Sequence, residues 1–167
     1  QSGKGFKMGM DAVLLADFAA QSIRSSNRVI DLGTGTGVIA LLIWGRTQAR
    51  VTGIEINGYM ADMAARTVAL NGLGESIEMI EGDLRTAAAR FGHGAFDYVV
   101  CNPPYTRRGA GLLSASDGLA AARHETEAEL GDILLAASKL VKYGGRTGLV
   151  LPAYRVAEAF ALMRENR

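Results

Sequence analysis

Two rhythms of apolar positions alternate along the chain. Short runs rich in branched apolar residues recur at 27–32, 50–56, 76–81, 96–101 and 147–151, and each reads as a strand. Between them apolar residues recur at helical spacing. One such segment covers about 37–46, and another follows Asn57 with Met60, Met63, Ala64 and Val68 on one face. Asn57 is a suitable N-cap, and Asn71-Gly72 a suitable stop. Further helices are expected over about 127–141, from near Tyr154, and ahead of the first strand over 10–23, with Asp11 near its start. Strands alternating with helices predict an α/β fold, a mostly parallel sheet covered on both faces. No repeat, low-complexity stretch or linker interrupts residues 1–167, which read as one domain with a lead-in segment and helix at 1–26.

Composition narrows the partners. Hydrophobic residues make up 49% and charged residues 21%, the balance of a soluble globular protein. The formal net charge of +1 means that a nucleic-acid partner needs a local basic patch. No apolar run reaches the length of a bilayer span, and no secretory signal is visible, so no membrane role and a cytoplasmic location are expected. The single Cys101 excludes an internal disulfide and a cysteine-based metal site, and no metal is expected.

The strongest local signal is the turn after the first strand, which carries Asp31, Gly33, Thr34, Gly35 and Gly37. Glycines at alternate positions between strand and helix let a ligand approach the backbone. The run from Gly35 to Ala40 also fits the dinucleotide pattern, so the turn alone leaves NAD open. Asp31 points elsewhere, because a carboxylate there repels a pyrophosphate and suits an ammonium group. Glu55, with Ile56 beside it, closes the second strand and is placed to accept from ribose hydroxyls. Asp83, with Leu84, closes the third and can accept from an adenine amine. Ordinary strand-end and turn carboxylates are the plain alternatives for each.

Two of the chain's three prolines are adjacent, in Asn102-Pro103-Pro104-Tyr105, directly after the fourth strand. Proline cannot donate to a sheet ladder, so the pair ends that strand and stiffens its exit. An amide and an aromatic ring are thereby held at a strand tip.

The order of Asp31 to Gly37, Glu55, Asp83 and Asn102 to Tyr105 resembles the class I S-adenosylmethionine-dependent methyltransferases, a Rossmann-like fold. The Asn-Pro-Pro-Tyr tetrapeptide is similar to that of enzymes that methylate an exocyclic or amide nitrogen. The resemblance implies S-adenosylmethionine as cofactor and S-adenosylhomocysteine as product. It gives Asn102 and the Pro103 carbonyl the target nitrogen, and Tyr105, with Pro104, the stacking surface. The stretch from Gly5 to Phe18 is similar to the start of the bacterial family that methylates adenine N6 beside the anticodon of a valine tRNA. So are Arg123-His124-Glu125, and Gly144-Gly145 followed by Leu149 to Pro152. From this likeness Lys7 and Asp11 are expected on the methionine side of the cofactor. Arg107, Arg108, Arg123 and His124 are expected toward tRNA. The family's sheet has seven strands, so the C-terminal strands are expected to be missing from this chain. A monomer is the default. Alternatives are a glutamine-N5 methyltransferase of peptide-release factors, another rRNA or DNA amino-methyltransferase, a non-catalytic cofactor- or RNA-binding protein, and an NAD-dependent oxidoreductase.

Overall fold

The computed structural model describes residues 9–103 and 128–165. Along them run α1 (Met10–Ala20), β1 (Arg28–Leu32), α2 (Val38–Thr47), β2 (Arg50–Glu55), α3 (Gly58–Leu70) and β3 (Ile77–Glu81). A 3-10 turn (Leu84–Thr86) then leads into α4 (Ala87–Phe91), followed by β4 (Phe96–Cys101). Last come α5 (Leu130–Leu140), β5 (Val141–Leu149), a second 3-10 turn (Ala153–Arg155) and α6 (Val156–Glu165). The five strands form one sheet in the order β3-β2-β1-β4-β5, and every pairing is parallel.

Side-chain alternation along β1 divides the core between the two faces. Val29 joins Leu15, Ala16, Ile39 and Ile43 under α1 and α2. Ile30 and Leu32 join Val99, Ile133 and Leu140 under α5. Each fully buried Val, Leu or Ile contributes about 1.5–3 kcal/mol. That is why these central strands read as near-continuous apolar runs rather than as alternating ones. At the start of α3, the Asn57 side chain accepts from the Met60 amide at 3.2 Å, the cap expected from the sequence.

The α/β class and all five strands stand as the sequence predicts. Three details differ. The short α4 and its 3-10 lead-in were not expected. Five residues with Ala87 and Ala88 turned inward carry too little periodicity to show. The fifth strand begins at Val141 rather than 147, because Val141 pairs with Phe96 before the register jumps to Arg146 opposite Tyr98. Residues 142–145 bulge out between them, with Gly144 at φ +75°. A Cβ on Gly145 would lie 2.8 Å from the Asp97 carbonyl, so the return to the ladder requires glycine. Finally, α1 ends at Ala20, three residues before its expected stop. No helix of the described residues is long and apolar enough to cross a membrane.

Candidate functional site

Strand register gathers the candidate residues on one rim. Leu32 pairs with Ile54 on one side and with Cys101 on the other, and Glu55 pairs with Glu81. The chain therefore leaves the sheet at Gly33, Ile56, Gly82 and Asn102 along a single edge, across strands about 4.8 Å apart. Between β1 and β4 the strand order reverses, the place where open α/β sheets bind ligands.

Asp31 is the most constrained of these groups. It is fully buried on the α2 side of β1, and the Thr34 hydroxyl donates to its Oδ2 at 2.6 Å. Its Oδ1 is buried with no hydrogen-bond partner among the described residues. Burial raises the carboxyl from its usual 3.8 to about 7, and the nearby Glu55 charge adds to this; the Thr34 hydroxyl opposes it, as does the nearby Ala40 amide, which falls short of a hydrogen bond to Oδ1. A buried carboxylate oxygen without a donor costs about 1–3 kcal/mol. A cationic nitrogen delivered to Oδ1 removes that cost, so the site suits an ammonium group.

The turn over Asp31 is held open by its backbone. Gly33, Gly35 and Gly37 have φ of +68°, +57° and +81°, which side-chain-bearing residues seldom adopt. A Cβ on Gly33 or Gly35 would meet nothing within 4 Å, whereas one on Gly37 would lie 2.8 Å from Met79 Cε and 3.2 Å from the Ala64 Cβ. The first two glycines thus border open space, and the third lets α2 pack against its neighbours. The amides of Gly33 and Thr34 both donate to the Ile54 carbonyl, at 2.9 and 3.0 Å.

Glu55 ties this turn to the next. It is buried, with Oε2 accepting from the Gly35 amide at 2.8 Å and Oε1 from the Asn57 amide at 2.9 Å. Each oxygen keeps an acceptor site for a ligand hydroxyl. Ile56 follows with its side chain 38% exposed at the rim. Leu84 packs against the cluster under α5.

Asp83 caps the 3-10 turn and is gripped by Arg85. Its Oδ1 accepts from the Arg85 amide at 2.9 Å and from Nε at 3.0 Å; its Oδ2 accepts from Nε at 2.8 Å and from Nη2 at 2.5 Å. Hydrogen bonding from the Arg85 side chain holds the carboxyl below its usual value despite partial burial.

The N-terminal end of α1 faces the same rim. Asp17, near the end of α1, pairs with Arg46 in the last turn of α2, and Arg146 in the lower part of β5 donates to Ser22 just beyond α1. Its C-terminal end therefore lies at the opposite edge of the sheet, and Asp11, about 1.5 Å per residue further up, lies toward the glycine turn. Asn102 is half-buried and Pro103 buried at the β4 tip. Lys7, Pro104, Tyr105, Arg107, Arg108, Arg123 and His124 lie outside the described residues.

Sequence reasoning missed three residues that shape the site. Gly53 pairs with Asp31, and a Cβ there would lie 2.8–2.9 Å from the Thr34 side chain and 2.6 Å from Met79 Sδ. Met79 closes the floor beneath both Gly37 and Gly53. A glycine inside a strand was the one visible signal for this crowding. Arg85 was the third. Cys101 is buried beside Asp31 and Glu55, and burial pushes its thiol well above the usual value, so it is no thiolate nucleophile. Among the described residues no group of three His, Cys, Asp or Glu side chains could hold a metal ion.

The comparisons with known proteins agree with this geometry. Residues 7–158 match the model of the methyltransferase small domain family. The chain is 33% identical over 163 residues to a tRNA1(Val) (adenine(37)-N6)-methyltransferase of Porphyromonas gingivalis, covering 95% of this chain and 63% of that protein. It is 31% identical over 158 residues to a protein of the same name from Tolumonas auensis, with coverage of 93% and 63%. The chain thus spans just over three-fifths of the length of these curated relatives. Among solved structures, a predicted O-methyltransferase of Agrobacterium tumefaciens superposes with a TM-score of 0.69 at 28% identity, over 92% of this chain and 66% of that one. TrmN from Thermus thermophilus does so with a TM-score of 0.62 at 25% identity, over 93% and 40%. With nearly its whole length matched by the family model and its acids and glycines set along one rim, the chain belongs to the methyltransferase small domain family.

Proposed function

We propose that this chain transfers a methyl group from S-adenosylmethionine to the exocyclic N6 of an adenine in tRNA, in the cytoplasm. The observation that carries the reading is the register between β1 and β4, which sets Asn102 beside the glycine turn. The names of the relatives, tRNA1(Val) (adenine(37)-N6)-methyltransferase, support the substrate.

The residues of the rim fit the cofactor. Asp31 Oδ1, buried and without a donor among the described residues, receives the ammonium group. Gly33 and Gly35 border the space for the methionine portion. Glu55 accepts from the ribose hydroxyls, and Ile56 covers one side of the adenine whose amine Asp83 reads. Asp11 and Lys7 close the methionine side. Bound here, S-adenosylmethionine supplies a methyl group already activated on a sulfonium, so the protein needs no strong base.

What the target amine needs is a stronger lone pair, because its own is delocalised into the ring. The Asn102 side-chain oxygen and the Pro103 carbonyl accept its two N–H groups. This favours a pyramidal nitrogen and gathers the positive charge that grows during attack. The rigid Pro103-Pro104 exit fixes the acceptors, and alignment of the nitrogen with the methyl supplies much of the remaining rate. Tyr105 stacks on the base, worth about 1–3 kcal/mol. Arg107, Arg108, Arg123 and His124 engage the tRNA backbone.

Transfer of a tritiated methyl group tests the reading. Incubation with unmodified tRNA should label the RNA, and a peptide-release factor should stay unlabelled. Label on the release factor with inert tRNA would replace this substrate by a glutamine amide.

A further inference from the structure

The reading of Asp83 as the acceptor for the adenine amine meets an obstacle in the structure. A carboxylate offers about two lone-pair sites on each oxygen. Arg85 engages both oxygens through three N–H groups: its amide on Oδ1, Nη2 on Oδ2, and the single Nε–H shared between them, at 2.5–3.0 Å. The residue two positions along thus covers both carboxylate oxygens of Asp83.

We propose that Arg85 is an internal competitor for the ligand's exocyclic amine, and that its guanidinium must let go of Asp83 before an adenine can be read there. The proposal rests on the assignment of Asp83 to the adenine amine. Three features make the exchange feasible. The side chains of Arg85 and Asp83 are 40% and 25% exposed, so the pair is solvent-screened and weak for its geometry. The Arg85 amide can stay on Oδ1 while the side chain leaves, so the 3-10 turn keeps its cap. Asp132, at the start of α5, already contributes to the field around Arg85 and offers the displaced guanidinium a second carboxylate.

Arg85 therefore lowers the affinity for an amine at this position and leaves that for a carbonyl unchanged. A ligand with an amine at position 6 of its purine replaces the guanidinium's hydrogen bond to Asp83. A ligand with a carbonyl there cannot, and leaves the pair closed.

Titration calorimetry of the wild type, Arg85→Ala and Arg85→Lys tests this. The probes are S-adenosylhomocysteine and its S-inosyl counterpart, in which a carbonyl replaces the amine. Arg85→Ala should bind S-adenosylhomocysteine about two- to fivefold more tightly than the wild type, the size of a part-exposed ion pair. Arg85→Lys should fall between them, and it carries the comparison if thermal melting shows that the alanine variant does not fold. Affinity for the S-inosyl compound should not change. Unchanged or weaker binding of S-adenosylhomocysteine in the variants would overturn the proposal, and so would an equal gain for both ligands. If the wild type binds neither compound, the proposed cofactor itself is wrong and the competition falls with it, a signature distinct from binding without gain.

Discussion

Leu32 of β1 pairs with Cys101 of β4, so the next residue of each strand, Gly33 and Asn102, leaves the sheet at the same level. One is the first glycine of the turn that borders the proposed cofactor space, and the other is the proposed acceptor for the target amine. A donor of methyl groups and a recipient can meet only if these two exits are adjacent, and parallel pairing makes them so. Asn102→Ala should therefore bind S-adenosylhomocysteine within about threefold of the wild type while transfer drops by about 10²–10³-fold, the loss typical of a charge-stabilising donor or acceptor. Parallel loss of binding and transfer would mean that Asn102 supports the fold of the rim instead.

Asp31 gives a pH dependence with a definite sign. Its carboxyl rises from 3.8 to about 7 in the folded protein, so the neutral form is favoured there relative to the unfolded chain. The folded state binds the extra proton, and this group's contribution to stability is full below pH 3.8, declines as pH rises toward about 7, and levels off above. Asp31→Asn removes that slope and should melt about 2–6 °C higher than the wild type at pH 8. The same variant should bind S-adenosylhomocysteine at least about tenfold more weakly, since an amide cannot neutralise an ammonium group. Melting curves from pH 5 to 8 and calorimetry check the two halves. A wild type that gains stability between pH 5 and 7 relative to Asp31→Asn would contradict the assignment.

The glycines should separate into two kinds. Gly35→Ala at φ +57° costs about 1–2 kcal/mol in backbone strain but meets open space. It should lower the melting temperature only modestly while blocking ligand binding. Gly53→Ala, at an ordinary strand position, would press its Cβ against Thr34 and Met79. It should destabilise more, by about 1–3 kcal/mol, and weaken binding indirectly by moving the hydroxyl that holds Asp31. Denaturant unfolding paired with calorimetry distinguishes them. Equal stability losses would show that the crowding at Gly53 relaxes freely.

Glu55 joins the first two rim turns through one carboxylate. In Glu55→Gln one of the two amides at Gly35 and Asn57 faces an NH₂ donor instead of an oxygen. The expected result is a loss of about 1–3 kcal/mol in unfolding free energy together with weaker nucleotide binding. Unchanged stability would mean that water can replace the carboxylate there.

Much of this site could be read from the chain because parallel strands buried on both faces leave unbroken apolar runs, and the acids that end them stand out. Asp31, Glu55 and Asp83 stand out that way as candidates, and the paired prolines mark the fourth strand tip. What could not be read depends on contacts across elements. Nothing in the sequence says that Gly53 must make room for Thr34, since the two meet only once β2 lies beside the turn. Arg85 two residues from Asp83 reads as one more exposed charge until its amide and guanidinium are seen to cover both carboxylate oxygens. The early start of β5 was hidden because Gly144-Gly145 signals a turn, and here the turn is a bulge inside the strand.

Nucleoside mass spectrometry of unmodified tRNA incubated with the protein and S-adenosylmethionine is the most direct measurement. N6-methyladenosine should accumulate with the wild type and not with Asn102→Ala. Modified tRNA lacking N6-methyladenosine, or the same product from the alanine variant, would contradict an amine held at the β4 tip beside the glycine turn.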